Sequence, residues 1–155
     1  MEKRFRQLMD SLHPALSELM AVRPVTVATL PKQVPPKCIY LFSECGRHLY
    51  TGRTGNLRRR MHDHTRRSSD HNAASFAFKL ARDLMGKADA SYTKKGSRAE
   101  LLNDPEFKAA FENSKERIRN MELRYIGEND PLRQALLEIY VSFVLGTRYN
   151  DFETH

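Results

Sequence analysis

The 155-residue chain has no long apolar run, only two cysteines, and little glycine or proline. Its longest uncharged apolar stretch, Ile139 to Leu145, falls far short of the ~20 residues that a membrane-spanning helix requires. The opening MEKRFRQLMD mixes charges with isolated apolar residues, so no secretory signal and no membrane association are expected. Cys38 and Cys45 cannot staple a small secreted scaffold, and they are not spaced C-x-x-C. Reduced thiols in a cytoplasmic protein are the expectation. Seven glycines and seven prolines with no low-complexity tract exclude a collagenous or broadly disordered chain. What remains, 40% hydrophobic and 29% charged, suits one domain around one core.

The charge is unevenly placed. Lys and Arg total 26 against 19 acids, a net charge of +7, which favours an anionic partner. Arg53 to Arg67 reads RTGNLRRRMHDHTRR and carries six arginines against one acid. From Asn120 onward six acids face three arginines. One stretch therefore carries most of the positive field. A solvated helix face is the ordinary explanation of such a run. Its exclusive use of arginine over lysine suits forked contacts to phosphate.

Hydrophobic spacing gives the element order. Residues 2–20 read as helix, with Phe5, Leu8, Met9 and Leu12 on one stripe and a break or kink at Pro14. Val25 to Leu30 is short and β-branched, and Pro31 to Pro36 is a breaker segment. Residues 1–36 thus read as an N-terminal helical extension and Pro-rich linker to a domain over 37–155. Cys38 to Phe42 and His48 to Thr51 form a predicted β-hairpin around a turn at Ser43 to Arg47. Gly52 to Asn56 is read as ending the strand, before a helix from Leu57 capped by Thr54 or Asn56.

Further helices are expected over Asn72 to Met85, from the capping-box pair Ser97 and Glu100, and from Asp104-Pro105 to Arg119. Met121 to Ile126 reads as a third strand, and Asp130-Pro131 starts a last helix running to about Leu145. The expected class is α+β: a small three-stranded, mostly antiparallel sheet flanked by helices.

Some residues stand out as chemistry. The last helix, ALLEIYVSFVLG, is apolar on nearly every side and is expected to be largely buried. Glu138 lies inside it, and a buried carboxylate needs a cationic partner, a metal ion or an arginine, unless it faces a cleft or solvent. Arg60 and His64 are four apart and share a helix face, where they could hold a phosphate and accept a proton. Alone, such a pair is usually surface decoration. Tyr40 and Tyr50 lie on the two hairpin strands, where tyrosines are more often packing residues with a wet tip. Four histidines and both cysteines fall within 34 residues, but their spacings do not converge as a structural zinc site does.

Taken in order, these residues resemble the GIY-YIG nuclease family. Cys38-Ile39-Tyr40 matches the first motif, and Tyr50-Thr51-Gly52 the second, ten residues on from Tyr40. Arg53 falls at a basic position found in many members. Asn56-Leu57-Arg58-Arg59-Arg60 matches the family's NL-x-x-R helix, with His64 one turn later where members carry His or Tyr. Glu138 stands in a late apolar helix, where the family places its metal-binding Glu, and Arg148-Tyr149-Asn150 ends the module. The resemblance covers about residues 37–152. It departs at Cys38, where the family has Gly, and at Thr51, where it has Ile. Tyr125-Ile126-Gly127 spells the second motif but comes too late to pair as a hairpin; it is assigned to the third strand.

The resemblance implies a divalent-metal-dependent endonuclease that hydrolyses DNA phosphodiester bonds at a single-metal site. Glu138 would hold Mg²⁺ or Mn²⁺, and Arg60 would brace the scissile phosphate. Tyr40 would relay or accept the proton of the attacking water, with His64 as its acceptor or as the base itself. Tyr50 would position water or phosphate, and Asn150 would close the site. Arg53, Arg58, Arg59, Arg66 and Arg67 would bind the nucleic acid. No small-molecule cofactor is implied. Specificity would come from the N-terminal extension, the Thr65 to Gly96 region, a homodimer or a partner protein. Two rivals stand beside this reading: an inactive or regulatory nucleic-acid-binding module on the same fold, and a protein-interaction domain whose basic stretch only aids solubility.

Overall fold

The structure is a computed structural model that describes residues 1–86 and 98–152. The chain divides into two compact units: Met1–Arg58 with Met121–His155, and Arg59–Asn120.

The first unit is built on an antiparallel sheet. Strand β1 (Cys38–Glu44) is central, flanked by β2 (Arg47–Thr54) and β3 (Glu122–Gly127), in the order β2-β1-β3. The hairpin turn is tighter than expected. Cys45 (φ 50) and Gly46 (φ 75) make it, and both strands run further toward it. Strand β2 also passes through Gly52 to Thr54, where the sequence reading ends it. Directly paired residues project from the same face of a sheet. Ile39, paired with Arg53 and Ile126, therefore marks one face, and Tyr40, paired with Gly52 and Tyr125, marks the other.

Helix α2 (Leu12–Ala21) and helix α7 (Pro131–Leu145) cover the Ile39 face. Leu12, Leu16 and Leu19 of α2 meet Ile39, Leu41, Ile126, Leu137 and Val141 in one cluster. The N-terminal segment thus contributes core, and it also pairs in the sheet, since Val25 exchanges both backbone hydrogen bonds with Leu123 at 2.9 and 2.7 Å. Helix α1 (Lys3–Asp10) is capped by Glu2, whose carboxylate accepts from the Arg4 and Phe5 amides. The break between α1 and α2 comes at Ser11, three residues ahead of Pro14. Pro14 sits in the first turn of α2, where no helical hydrogen bond needs its missing N–H.

Helix α7 corrects an expectation. Asp130 caps it as predicted, accepting from Leu132 and Arg133, and Gly146 ends it in the left-handed conformation. It is not largely buried, however. Only Gln134, Leu137, Val141 and Ser142 are buried, whereas Leu132, Ile139, Phe143 and Val144 are exposed. A single sheet face can cover one side of a helix, and the apolar residues of the far side are left over.

The second unit is helical. It takes in α3 (Leu57–Thr65) from Arg59 onward, α4 (Ser75–Leu84), the short α5 (Arg98–Leu101) and α6 (Pro105–Arg119). Phe76, Phe78 and Leu80 of α4 and Phe107, Phe111 and Ile118 of α6 are buried, with the rings of Phe78 and Phe107 tilted against each other, centroids 5.2 Å apart. Asp70 caps the turn that leads into α4, and Asp104 caps α6. Lys115 is buried yet satisfied. Its ammonium donates to the carbonyls of Arg67 and Ser69 at 2.9 and 2.7 Å and pairs with Glu112. The expected capping box at Ser97 lies outside the described residues.

Candidate active site

The outer strand β2 gathers several of the residues singled out in the sequence. Tyr40 is 1% exposed, and its ring lies over Gly52. A Cβ added at Gly52 would stand 2.4 Å from the Tyr40 hydroxyl and 2.5 Å from Cζ. Gly52 is therefore a seat for the phenol rather than a strand breaker. It carries the hydroxyl across to the sheet's edge strand. Tyr50 follows on the same face, its ring centroid 6.3 Å from that of Tyr40.

One residue before Gly52, the side chain of Asn150 closes the edge of β2. Its Oδ1 accepts from the Thr51 amide at 2.9 Å, and its Nδ2 donates to the Thr51 carbonyl at 2.8 Å. The Thr147 hydroxyl also donates to Oδ1. The Tyr149 amide donates to the carbonyl of Leu49, which the strand irregularity near Phe42 and Ser43 leaves without a cross-strand partner residue. Asn150 thus acts as a surrogate strand that blunts an exposed edge.

One residue after Gly52, Arg53 projects from the opposite face and meets α7. Its Nε donates to Glu138 Oε2 at 3.0 Å. The cationic partner expected of Glu138 is this arginine. Tyr40 and Glu138 thus converge on neighbouring residues of β2 but leave the sheet by opposite faces. Gln134, one turn before Glu138, donates from Nε2 to the carbonyls of Cys38 and Thr54 and fixes α7 against the ends of both strands. The sequence reading did not single out Gln134. Its signal was a polar residue in register with Leu137 and Val141 on the buried face.

The two departures from the family pattern have structural uses. The Thr51 hydroxyl donates to the Tyr40 carbonyl at 2.8 Å in a buried site. The buried Cys38 thiol donates to the Pro35 carbonyl, and burial pushes its pKa up to about 12. A thiol so protonated is neither a nucleophile nor a metal ligand at neutral pH. Tyr125-Ile126-Gly127 lies in β3 as expected, paired to Tyr40, Ile39 and Cys38.

Arg60 and His64 belong to the second unit. Arg60 Nη1 donates to the Ala73 carbonyl at 2.9 Å, just ahead of α4. His64 is fully buried, edge-on to Phe76 at 6.4 Å. Burial first, and the Arg60 charge second, hold its pKa well below 6.5. It is neutral, so it can accept a proton, but the same burial opposes the charge it would then carry. Arg59, Arg66 and Arg67 are exposed. Arg58, also exposed, donates to the carbonyls of Pro31 and Lys32, which ties the start of α3 to the Pro-rich segment.

Among the described residues no group of three or more His, Cys, Asp or Glu converges. Glu138 itself offers one carboxylate. That suits a hard cation which keeps most of its waters and is held by one or two carboxylates plus phosphate oxygens. It does not suit a closed zinc site. No helix among the described residues is long and apolar enough to cross a membrane. Compared with known proteins, the chain matches no family model, no curated protein and no solved structure.

Proposed function

We propose that the protein is a divalent-metal-dependent endonuclease of the GIY-YIG type acting on DNA. One observation carries the reading. Tyr40, laid over Gly52, and the Arg53–Glu138 pair fall on consecutive residues of one edge strand. The phenol and the carboxylate reach adjacent residues of that edge strand, from opposite faces of the sheet. Phosphodiester hydrolysis needs both an acceptor for the water's proton and a carboxylate for a cation.

Glu138 is the residue that would hold Mg²⁺ or Mn²⁺. When bound there, such an ion stabilises charge on the leaving oxygen. Arg53 holds the carboxylate in place and adds positive field at the strand edge. Tyr40, fixed by its seat on Gly52, orients the attacking water and passes on its proton. Tyr50 steadies water or phosphate beside it. The resemblance assigns Arg60 to the phosphate and His64 to the proton, and the buried neutral state of His64 makes it the weaker base. Arg59, Arg66 and Arg67 supply exposed cations for the backbone of the nucleic acid.

One observation favours the inactive-module reading. Arg53 satisfies Glu138 with no metal required. Two assays on the same protein separate the readings. Duplex binding measured across salt should weaken steeply with ionic strength under both nucleic-acid readings. Supercoiled plasmid should be nicked with Mg²⁺ and not with EDTA only if the protein is an enzyme. Salt-independent or absent binding would return the chain to the protein-interaction class.

A further inference from the structure

On α7, Leu132, Leu136, Ile139 and Phe143 recur at intervals of four, three and four. That is the spacing of a coiled-coil seam. The seam lies away from Gln134, Leu137 and Val141, which face the core. Phe143 is 86% exposed, Leu132 59% and Ile139 48%, and Leu136 is half-buried. The charged side chains of the helix turn elsewhere, Arg133 to Glu128 and Glu138 to Arg53. A chain of net charge +7 thus keeps one helix stripe free of charge. Nucleic acid or an acidic protein would find nothing to pair with there. The exposed seam and Val144 amount to roughly 500 Å², the size of the largest patches seen on monomers and often functional.

We infer that α7 pairs with α7 of a second copy of this chain, antiparallel, about a two-fold axis between Leu136 and Ile139. The stripe is complementary to itself in that arrangement. An axis midway between positions 136 and 139 sets Ile139 against Leu136 and Phe143 against Leu132. Beside Leu132 lies an open cavity of about 400 Å³, walled by Phe5 and Leu8 of α1 on its apolar side and rimmed by Glu2, Arg4 and Asp130. It is large enough for a phenyl ring, and the register brings Phe143 of the second copy to its mouth. The pairing also gives a role to α1, which has no buried residue of its own.

The two stripes and cavity walls cover on the order of 1,200 Å² in total, at the low end for specific interfaces. Glu138 lies on another face of α7. The inference therefore stands apart from the nuclease reading, although a two-fold dimer of such an enzyme would present two sites.

Sedimentation of the full chain across a concentration series at high salt tests it. The mass should rise from 18.0 kDa toward twice that value. Phe143→Glu should remain at 18.0 kDa at every concentration, with unchanged circular dichroism because the residue is exposed. The register is tested by mixing two chains in a Cys45→Ser background, one with Leu132→Cys and one with Phe143→Cys. The mixture should form an interchain disulfide that neither chain forms alone. A monomer at all concentrations, a dimer indifferent to Phe143→Glu, or equal cross-linking of the unmixed chains would overturn the proposal.

Discussion

Gly52→Ala tests how the phenol of Tyr40 is held. The backbone at Gly52 is ordinary strand, so alanine brings no conformational strain. It even stiffens the unfolded chain, a gain of about 0.5–1 kcal/mol. Against this, the new methyl stands 2.4 Å from the Tyr40 hydroxyl and 2.5 Å from Cζ, far inside contact distance. The ring tip must move by about 1 Å in a wholly buried setting, and such overpacking costs about 1–3 kcal/mol. The net expectation is a loss of about 0–2.5 kcal/mol, or a fall of up to roughly 10 °C in Tm for a chain of this length.

If Tyr40 handles the attacking water, a displacement of that size also slows cleavage by about a hundredfold while DNA binding is unchanged. Urea unfolding of Gly52→Ala, Tyr40→Leu and the double variant completes the cycle. Leucine removes the ring tip, so alanine at 52 should become neutral or mildly stabilising in that background. An equal effect of Gly52→Ala with and without the tyrosine ring would refute the seat.

Two further predictions concern buried titratable groups. In native protein at pH 8 a thiol reagent should label Cys45 alone, because Cys38 is buried with a pKa pushed to about 12; two fast thiols would contradict the packing at Pro35. His64 has a folded pKa well below its ordinary 6.5, so the unfolded chain binds its proton first. Its contribution to stability is intact above pH 6.5 and is lost as pH falls below it, by up to ~1.4 kcal/mol per pH unit. Urea unfolding from pH 7.5 to 5 should therefore fall more steeply for wild type than for His64→Gln. His48, also lowered, contributes equally to both curves, and parallel curves would show that His64 takes up its proton readily in the folded protein.

The elements carried by strong local chemistry were legible in the sequence. Asp104-Pro105 and Asp130-Pro131 start their helices because cap and proline act within one turn. Gly146 ends α7 because only glycine takes the left-handed conformation at no cost. Tyr125-Ile126-Gly127 falls in the third strand, as its β-rich composition indicates.

What escaped was whatever depends on a partner distant in sequence. Gly52 looked like a breaker because its reason for being glycine is Tyr40, twelve residues earlier. Glu138 visibly needed a cation, but no spacing rule ties it to Arg53, 85 residues before it. Helix α7 looked buried because composition reports how apolar a helix is and not how much surface is present to cover it. Lys115 gave no sign of burial, since its partners are the carbonyls of Arg67 and Ser69, which any sequence would possess.

The most direct test of the proposed chemistry is strand scission by Glu138→Gln beside wild type, on the same supercoiled plasmid with Mg²⁺ present. Glutamine keeps the shape of the side chain and removes the charge that would hold the ion. The Arg53 pair it weakens is partly exposed and contributes only about 0–1 kcal/mol to stability, so the variant should fold normally. Nicking should fall by at least about a hundredfold while DNA binding persists. Equal nicking by both proteins, or none by wild type under any divalent ion, would contradict the proposed chemistry.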